Sequence, residues 1–283
     1  AWLLPRQFTP DEVQMLTAVC EIAGSALHRA QVMDTLEQRV QERTRELVEA
    51  YAQLQELDRL KSRFVADVSH ELRTPITNVK LYLDLLAQGS GERQEHYLAV
   101  LNRQADRLVN LLEDILNLSR LELGGGQVEM APFDFNALVR QVLTVHEPRL
   151  EAANLQLTTD MQENLPLVTG ERNQMSQVVT NLLVNAINYT PKGKISVRTY
   201  RADGRDQICL EISDTGIGIA AEDQAYLFDR FYRGKHASQS NIPGTGLGLA
   251  IVKEILTLHN GHIDVDGRPG EGTTVTVCLP IQL

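Results

Sequence analysis

A histidine and a glutamate stand side by side in the segment Phe64-Val-Ala-Asp-Val-Ser-His70-Glu71-Leu-Arg-Thr74-Pro75. A neutral imidazole can act as a nucleophile, and an adjacent carboxylate can hold its second ring nitrogen and raise its basicity. Val68 and Leu72 belong to the apolar face of the predicted helix, so His70 is predicted to face solvent. This position disfavours a packed core histidine. A surface histidine without function remains an alternative from this segment alone.

Apolar spacing N-terminal to this segment predicts further helix. Residues 11–30 form an amphipathic helix with Thr9 as its cap and Pro10 in the first position. Heptads follow, with one seam position held by Met33, Val40, Leu47 and Leu54 and the other by Leu36, Ala50, Leu57 and Phe64. The pattern indicates a coiled coil, although a solvated single helix is an alternative. A parallel dimer is favoured because the seam runs directly into the His70 segment.

A helical hairpin is predicted from residue 68 onward. The first stripe consists of Val68, Leu72, Ile76, Val79, Leu83 and Leu86, and the second of Leu98, Leu101, Ala105, Leu108, Leu112 and Ile115. Residues 87–92 break the helix between them, so the two helices are expected to be antiparallel. One hairpin cannot bury both stripes, and we therefore expect two chains to form a four-helix bundle.

The glycine run Gly124–Gly126 marks the predicted boundary to a second domain. Beyond it, helices are predicted at 134–150, 172–189 and 247–259. Strands are predicted at 128–130, 155–161, 194–200, 207–213, 262–266 and 273–279. Helices segregated from largely antiparallel strands predict an α+β sandwich.

Composition narrows the classes of partner. The net charge of -10 argues against a nucleic-acid-binding surface, because phosphate contacts need clustered basic residues. The three cysteines are far apart and lack metal-ligand spacing, which predicts small buried residues in a reducing compartment. The sequence shows no transmembrane run or signal peptide, so we expect a cytoplasmic segment without membrane contact of its own. The chain begins at Ala1, and an anchor further upstream stays open.

Three asparagines share one face of the predicted helix 172–189. Asn181, Asn185 and Asn188 follow at helical spacing, although Asn is a poor helix former. Amide oxygens are hard ligands suited to Mg²⁺ and to water bound to phosphate. A polar stripe is the alternative, because the same helix also carries an apolar face.

Two glycine-rich runs lie in the second domain. Asp214-Thr-Gly216-Ile-Gly218 puts an acid at a strand end, where its carboxylate could accept a hydrogen bond from an exocyclic amine such as that of adenine. Gly244-Thr245-Gly246-Leu247-Gly248 opens the last long helix, where backbone N–H groups and the helix dipole could meet an anion. The first run could equally be an ordinary turn. The second is neither a Rossmann nor a Walker A pattern.

A segment of roughly thirty residues with little regular structure separates the two runs and is typical of a lid or binding loop. Its basic residues Arg230, Arg233 and Lys235 are candidates to meet a terminal phosphate. Solvated surface charge is the alternative for all of them.

In this order, the motifs resemble those of the sensor histidine kinases of two-component systems, over roughly residues 60–283. The H, N, G1, F and G2 boxes of that family are all present. The resemblance implies a dimeric four-helix bundle with an N-terminal coiled coil, followed by an α+β sandwich of the Bergerat (GHKL) ATP-binding type. The implied parts are the end of a GAF-like sensor domain (1–30), a coiled coil (31–60), a dimerisation and phosphotransfer domain (61–123) and a catalytic ATP-binding domain (127–283).

The resemblance also implies residue roles. His70 would be the phosphoacceptor, Glu71 its base, and Thr74 the residue that orients water in a phosphatase reaction. Asn185 would hold Mg²⁺. The remaining implied ATP-binding residues are Asn181, Asn188, Tyr189, Asp214, Gly216, Gly218, Arg230, Arg233, Lys235, Gly244, Thr245, Gly246, Leu247 and Gly248.

One position departs from the family. Many relatives carry Lys where this chain has Asn188, which puts a direct lysine contact to phosphate in doubt unless Lys192 or Lys194 substitutes.

The expected reaction is autophosphorylation of His70 by ATP, followed by transfer to an aspartate on a response-regulator receiver domain. Two rivals remain. An ATPase of the same nucleotide fold would lack the His-Glu-Leu-Arg-Thr-Pro hairpin, and an inactive scaffold would not need intact Asn185, Asp214 and glycine motifs.

Overall fold

The computed structural model describes residues 9–88, 93–122, 129–202, 204, 206–234, 242 and 244–281, apart from the side chains of residues 57, 60 and 122. The chain divides into two units, Ala1–Ala66 and Asp67–Leu283. The predicted domain boundary at Gly124–Gly126 and the candidate Lys235 lie outside the described residues.

Helix α1 runs without interruption from Pro10 to Ala87. Its start is the predicted cap in reciprocal form: the Thr9 hydroxyl accepts from the Glu12 N–H at 3.3 Å, and the Glu12 carboxylate accepts from the Thr9 N–H at 3.0 Å. Pro75 lies inside the helix and does not end it. Within the described part of the chain, no helix has both the length and the apolar composition needed to span a bilayer.

The first unit leaves its heptad seam exposed. Met33, Leu36, Val40, Leu47 and Leu54 are all among the exposed large apolar side chains of α1. Arg43 interrupts the seam between Leu36 and Ala50 and pairs with Glu46, while Arg45 pairs with Glu49; both pairs are exposed, so each contributes little to stability.

Helix α2 runs from Gln94 to Glu122 and completes the predicted hairpin in the second unit. Leu111 and Leu118 of α2 are fully buried, whereas Leu98 and Leu112 are exposed together with Ile76 of α1. The hairpin of one chain thus covers only part of its two apolar stripes.

The remainder of the second unit is the predicted sandwich of helices on a sheet. Its strands are β1 (Ala131–Phe133), β2 (Leu155–Met161), β3 (Val168–Gly170), β4 (Gly193–Arg201), β5 (Gln207–Asp214), β6 (His262–Arg268) and β7 (Gly272–Pro280). Its helices are α3 (Phe135–Ala152), α4 (Arg172–Tyr189), α5 (Ala221–Gln224) and α6 (Gly248–Leu258).

The main sheet has five strands in the order β2-β4-β5-β7-β6. Strand β2 pairs parallel to β4, and the other neighbours are antiparallel, so the sheet is mixed. Strands β1 and β3 form a separate antiparallel pair. Helix α4 packs between α3 and α6 and also contacts β5. Burial of Leu183, Ile195, Leu210 and Ile251 places the core between these helices and the sheet.

Acidic side chains cap the N-termini of two helices, α3 and α4. The Asp134 carboxylate accepts from the Ala137 N–H at 2.9 Å at the start of α3. The Glu171 carboxylate accepts from the N–H groups of Asn173 and Gln174 at 2.8 and 2.7 Å at the start of α4. Glu171 therefore serves as a helix cap.

The prediction for the cysteines was right about the burial of Cys209 and Cys278 and wrong about their reduced state and about Cys20. Cys209 and Cys278 face each other in the β5–β7 register and form a disulfide, and Cys20 is exposed rather than buried. Widely spaced cysteines give no sign of pairing in the sequence, because their proximity depends on two strands separated by 69 residues. The first strand also lies at 131–133 rather than 128–130, and β3 and α5 were not predicted.

Candidate functional site

A cleft opens between α4, the end of β5 and the start of β7. Its empty volume is about 900 Å³ including the part open to solvent, and Asn185, Tyr189, Asp214, Gly218 and Thr273 line it. Apolar side chains of α4, β5 and β7, including Leu182, Ile212 and Val275, cover its floor. A concave, largely apolar recess with a few polar groups is typical of a small-molecule site.

Asp214 is the most constrained polar residue of the cleft. Its side chain is 9% exposed, and its Oδ1 accepts from the N–H of Gly216 at 2.8 Å and from the N–H of Thr273 at 3.3 Å. Neither bond uses Oδ2. A carboxylate fixed through one oxygen can offer the other to a donor in the cleft.

Burial raises the pKa of Asp214 above the usual range of an aspartate. Hydrogen bonds from the Gly216 and Thr273 N–H groups act in the opposite direction and favour the charged form.

The glycines after β5 are required by close backbone contacts. A Cβ on Gly216 would lie 2.2 Å from the carbonyl oxygen of Tyr189, and one on Gly218, which has φ +70°, would lie 1.8 Å from that of Arg268. Gly272 was not predicted, yet a Cβ there would lie 1.9 Å from the carbonyl oxygen of Asp214 itself. The site therefore admits no side chain at these three positions.

The glycines before α6 have different roles from one another. Gly246 has φ +75°, and a Cβ there would meet the backbone of Phe231 at 2.8 Å. Phe231 has φ +61° and donates its N–H to the Gly246 carbonyl at 3.0 Å, so these two residues join the two ends of the long loop. A Cβ on Gly244 would meet nothing within 4 Å, and one on Gly248 would make an ordinary contact with Asn181.

The three predicted asparagines point to different neighbours. The Asn181 amide donates to the Gly248 carbonyl at 3.2 Å and so ties α4 to the start of α6. Asn185 lines the cleft. Asn188 accepts at Oδ1 from Arg149 Nη2 at 2.8 Å and so contacts α3. Only Asn185 is thus placed to offer an amide oxygen to a metal ion inside the cleft, a role that its chemistry fits.

The predicted residues Arg230, Arg233 and Leu247 are not among the residues that line the cleft. Arg233 donates from Nη2 to the carbonyl of Ile242, and Arg230 is exposed. Leu247 is fully buried, so only its backbone could meet a ligand. The Asp223 carboxylate accepts from the Tyr232 hydroxyl at 2.6 Å, and this hydrogen bond is the main cause that raises the pKa of Tyr232 to about 12.

Thr245 contacts the helical hairpin. Its hydroxyl donates to Asp114 Oδ2 of α2 at 2.6 Å, and it accepts from the Leu247 N–H at 3.3 Å. Burial raises the pKa of Asp114, while the hydrogen bond from Thr245 lowers it. Through Asp114, α2 is thus hydrogen-bonded to Thr245, which lies just before the start of α6.

His70 is exposed, as predicted, with 75% of its side chain accessible. Its Nδ1 lies 3.6 Å from Glu71 Oε1, and Arg107 of α2 donates from Nη2 to Glu71 Oε2 at 3.1 Å. One oxygen of Glu71 therefore faces the imidazole while the other is held by a cation. The Thr74 hydroxyl lies one turn further on and donates to the His70 carbonyl at 3.4 Å.

The structure thus brings Asn185, Tyr189, Asp214 and Gly218 into one cleft and places the His70 segment elsewhere, on the hairpin. Sequence reasoning missed Thr273, Gly272, Arg107, Asp114 and Arg149. Each acts through a contact between distant elements that no local pattern signals.

Two family models match this architecture. His Kinase A (phospho-acceptor) domains match residues 60–124, and histidine kinase-, DNA gyrase B- and HSP90-like ATPases match residues 170–283. A phosphoacceptor hairpin followed by an ATPase domain of the GHKL fold defines a class of signalling kinase. The chain belongs to the sensor histidine kinases of two-component systems.

Individual relatives agree with this assignment. The chain is 35% identical to the circadian input-output histidine kinase CikA of Synechococcus elongatus, over 98% of this chain and 38% of CikA. The structure of the Acinetobacter baumannii histidine kinase AdeS is 32% identical with a TM-score of 0.63, over 76% of this chain and 98% of that one. Full-length ShkA in complex with AMPPNP is 28% identical with a TM-score of 0.57, over 76% of this chain and 45% of ShkA. The chain spans about two fifths of the length of CikA.

Replacing Gly246 by Ala should weaken nucleotide binding, whereas replacing Gly244 by Ala should not. The first change forces a Cβ onto the Phe231 backbone at a positive φ, and the second enters open space. Strain of this kind costs about 1–3 kcal/mol, so the affinity for a fluorescent ATP analogue should fall by roughly fivefold to a hundredfold. Equal affinities for the two variants in a fluorescence titration would show that the base of the loop does not shape the site.

The affinity for ATP should fall as the pH is lowered through the pKa of Asp214. Because burial raises that pKa, the ionised carboxylate that accepts the hydrogen bond is lost at a higher pH than in an ordinary aspartate, whose pKa is about 3.9. The measurement is a series of calorimetric titrations over a range of pH for the wild type and for Asp214→Asn. Because the two proteins have all other titrating residues in common, the difference between their profiles reports Asp214. A wild-type profile that runs parallel to that of the variant would contradict the prediction, and circular dichroism at each pH verifies that both remain folded.

Proposed function

We propose that the chain binds ATP in the cleft at Asp214 and transfers its γ-phosphoryl group to His70. The observation that carries this proposal is the pairing of two features in one chain: an exposed imidazole beside an oriented carboxylate, and a buried carboxylate fixed at the wall of a largely apolar cleft. The ShkA relative was solved with AMPPNP, an ATP analogue, which supports ATP as the nucleotide.

The chemistry at His70 follows from the geometry of Glu71. Glu71 Oε1 lies 3.6 Å from Nδ1 and would favour the tautomer that carries its proton there, which leaves Nε2 as the nucleophile. The Nε2–P bond forms as the bond between the γ-phosphorus and the bridging oxygen of ADP breaks, and ADP leaves. The Nδ1 proton is stabilised by, or passes to, Glu71. Arg107 acts as a positioning residue because it holds the far oxygen of that carboxylate.

Mg²⁺ would accompany the nucleotide. Asn185 supplies an amide oxygen in the cleft, and phosphate oxygens and water would complete the octahedral shell that this ion prefers. When bound, the ion would neutralise charge on the phosphates, which is the main demand of phosphoryl transfer.

A homodimer completes the proposed kinase. The exposed apolar side chains of α1 and α2, among them Leu47, Leu54, Ile76 and Leu112, provide a face that a second copy can cover. A parallel coiled coil followed by a four-helix bundle would bury both the heptad seam and the hairpin stripes. The proposed boundaries remain a GAF-like end at 1–30, a coiled coil at 31–60 and the two kinase domains at 61–123 and 127–283.

The proposed acceptor of the phosphoryl group is an aspartate of a response-regulator receiver domain. Family membership supports this partner. Thr74, which is exposed one helical turn from His70, is proposed to orient a water molecule that hydrolyses the phosphorylated aspartate of the regulator. A gyrase-type ATPase is the rival function, and the match of residues 60–124 to phosphoacceptor domains disfavours it.

The direct test uses ATP labelled at the γ-phosphate with Mg²⁺. Wild-type protein should acquire a label that is stable to base and lost in acid, as a phosphoramidate bond is, and His70→Gln should acquire none. His28→Gln is the matched control, because His28 is also an exposed histidine on α1 and should leave labelling unchanged.

Labelling that persists in His70→Gln would refute the assignment of the phosphoacceptor. Release of phosphate without any labelled protein would instead favour the ATPase rival.

A further inference from the structure

A second recess adjoins the nucleotide cleft and has no role in the function proposed above. Arg149, Asn188, Thr190, Pro191, Ile217 and Ile242 line it, and its empty volume is about 1030 Å³ including open solvent. Ile217 lines both openings, so the recess and the cleft are neighbours at the turn that follows Asp214. A ligand that fills the cleft and extends beyond it can therefore enter the recess.

The recess is bordered by cationic side chains from two different elements. Arg149 stands in the last turn of α3 and lines it directly. Arg233, which follows the short helix α5 in the chain, donates to the carbonyl of Ile242, another lining residue. In the described part of the chain, Arg149 forms no ion pair with a carboxylate. Its charge is therefore available to an anion.

The side chain of Arg149 is oriented by α4. Its Nη2 donates to Asn188 Oδ1 at 2.8 Å, and Asn188 lies one helical turn beyond Asn185, which lines the cleft. This bond uses one of the five N–H donors of the guanidinium, so the others can meet further acceptors. Arginine is well suited to such a task, because its planar fork matches the geometry of phosphate oxygens.

We propose that Arg149 is a phosphate-binding residue of the nucleotide site, which contacts the β- or γ-phosphate of bound ATP while Asn188 holds its guanidinium in place. The inference rests on the proposed function, since it concerns the same ATP. It also explains how Asn188 contributes to the site: this asparagine orients the guanidinium of Arg149, which belongs to α3. The competing explanation is that the Arg149–Asn188 bond only joins α3 to α4.

The test is a calorimetric comparison of three ligands with Mg²⁺: AMP, ADP and AMPPNP. For Arg149→Ala, the affinity for AMPPNP should fall about tenfold or more, as for the loss of a hydrogen bond to a charged group, while the affinity for AMP stays unchanged. The loss should appear already with ADP if the contact is to the β-phosphate, and only with AMPPNP if it is to the γ-phosphate. Arg149→Lys should retain part of the affinity, because it keeps the charge without the fork.

Arg140→Ala is the matched control, because Arg140 is an exposed arginine on the same helix and should leave all three affinities unchanged. Thermal unfolding of each variant measures any purely structural role. A joint loss of AMP and AMPPNP affinity with a lowered Tm, or no loss for any ligand, would overturn the inference while the proposed function stands. Wild-type protein that binds none of the three ligands would overturn both.

Discussion

The carboxylate of Asp214 is the point on which the site depends. Three backbone segments meet at it: the end of β5, the turn through Gly216 and the start of β7 at Thr273. A Cβ on Gly272 would lie 1.9 Å from the Asp214 carbonyl oxygen and one on Gly216 would lie 2.2 Å from that of Tyr189, so no side chain fits at either position. The Ile217 N–H then donates to that Tyr189 carbonyl at 3.1 Å, which joins the turn to the end of α4. One buried acid thereby fixes the distance between the sheet and the helix that together enclose the cleft.

The other elements extend outward from this fixed wall. Three asparagines of helix α4 have three different environments. Asn181 contacts α6, Asn185 lines the cleft and Asn188 contacts α3. The Phe231–Gly246 hydrogen bond closes the base of the long loop. Thr245 then links the start of α6 to Asp114 of the hairpin. A movement that brings ATP to His70 would have to break or rearrange this last contact, because His70 lies outside the lining of the cleft.

Long elements with marked ends were predicted closely. Strand β2 and helix α4 have the predicted bounds, because the strand lies between turn residues and Glu171 caps the helix. The three-residue strand β3 and the four-residue helix α5 are too short to show a period. The exposure of His70 followed from helical phase alone. The pairing of Cys209 with Cys278 and the contacts of Arg107, Asp114 and Arg149 did not, because each joins residues that only the tertiary fold brings together.

In the proposed site, the carboxylate of Asp214 accepts a hydrogen bond from the 6-amino group of adenine. Inosine triphosphate differs from ATP in carrying a carbonyl oxygen at that position, so it would leave the carboxylate facing an acceptor. Calorimetric titration of the intact chain with ATP and with inosine triphosphate, each with Mg²⁺, measures what this hydrogen bond contributes to binding. The affinity for inosine triphosphate should be lower than that for ATP by roughly one to two orders of magnitude, as for the loss of a hydrogen bond to a charged group. Equal affinities would contradict it.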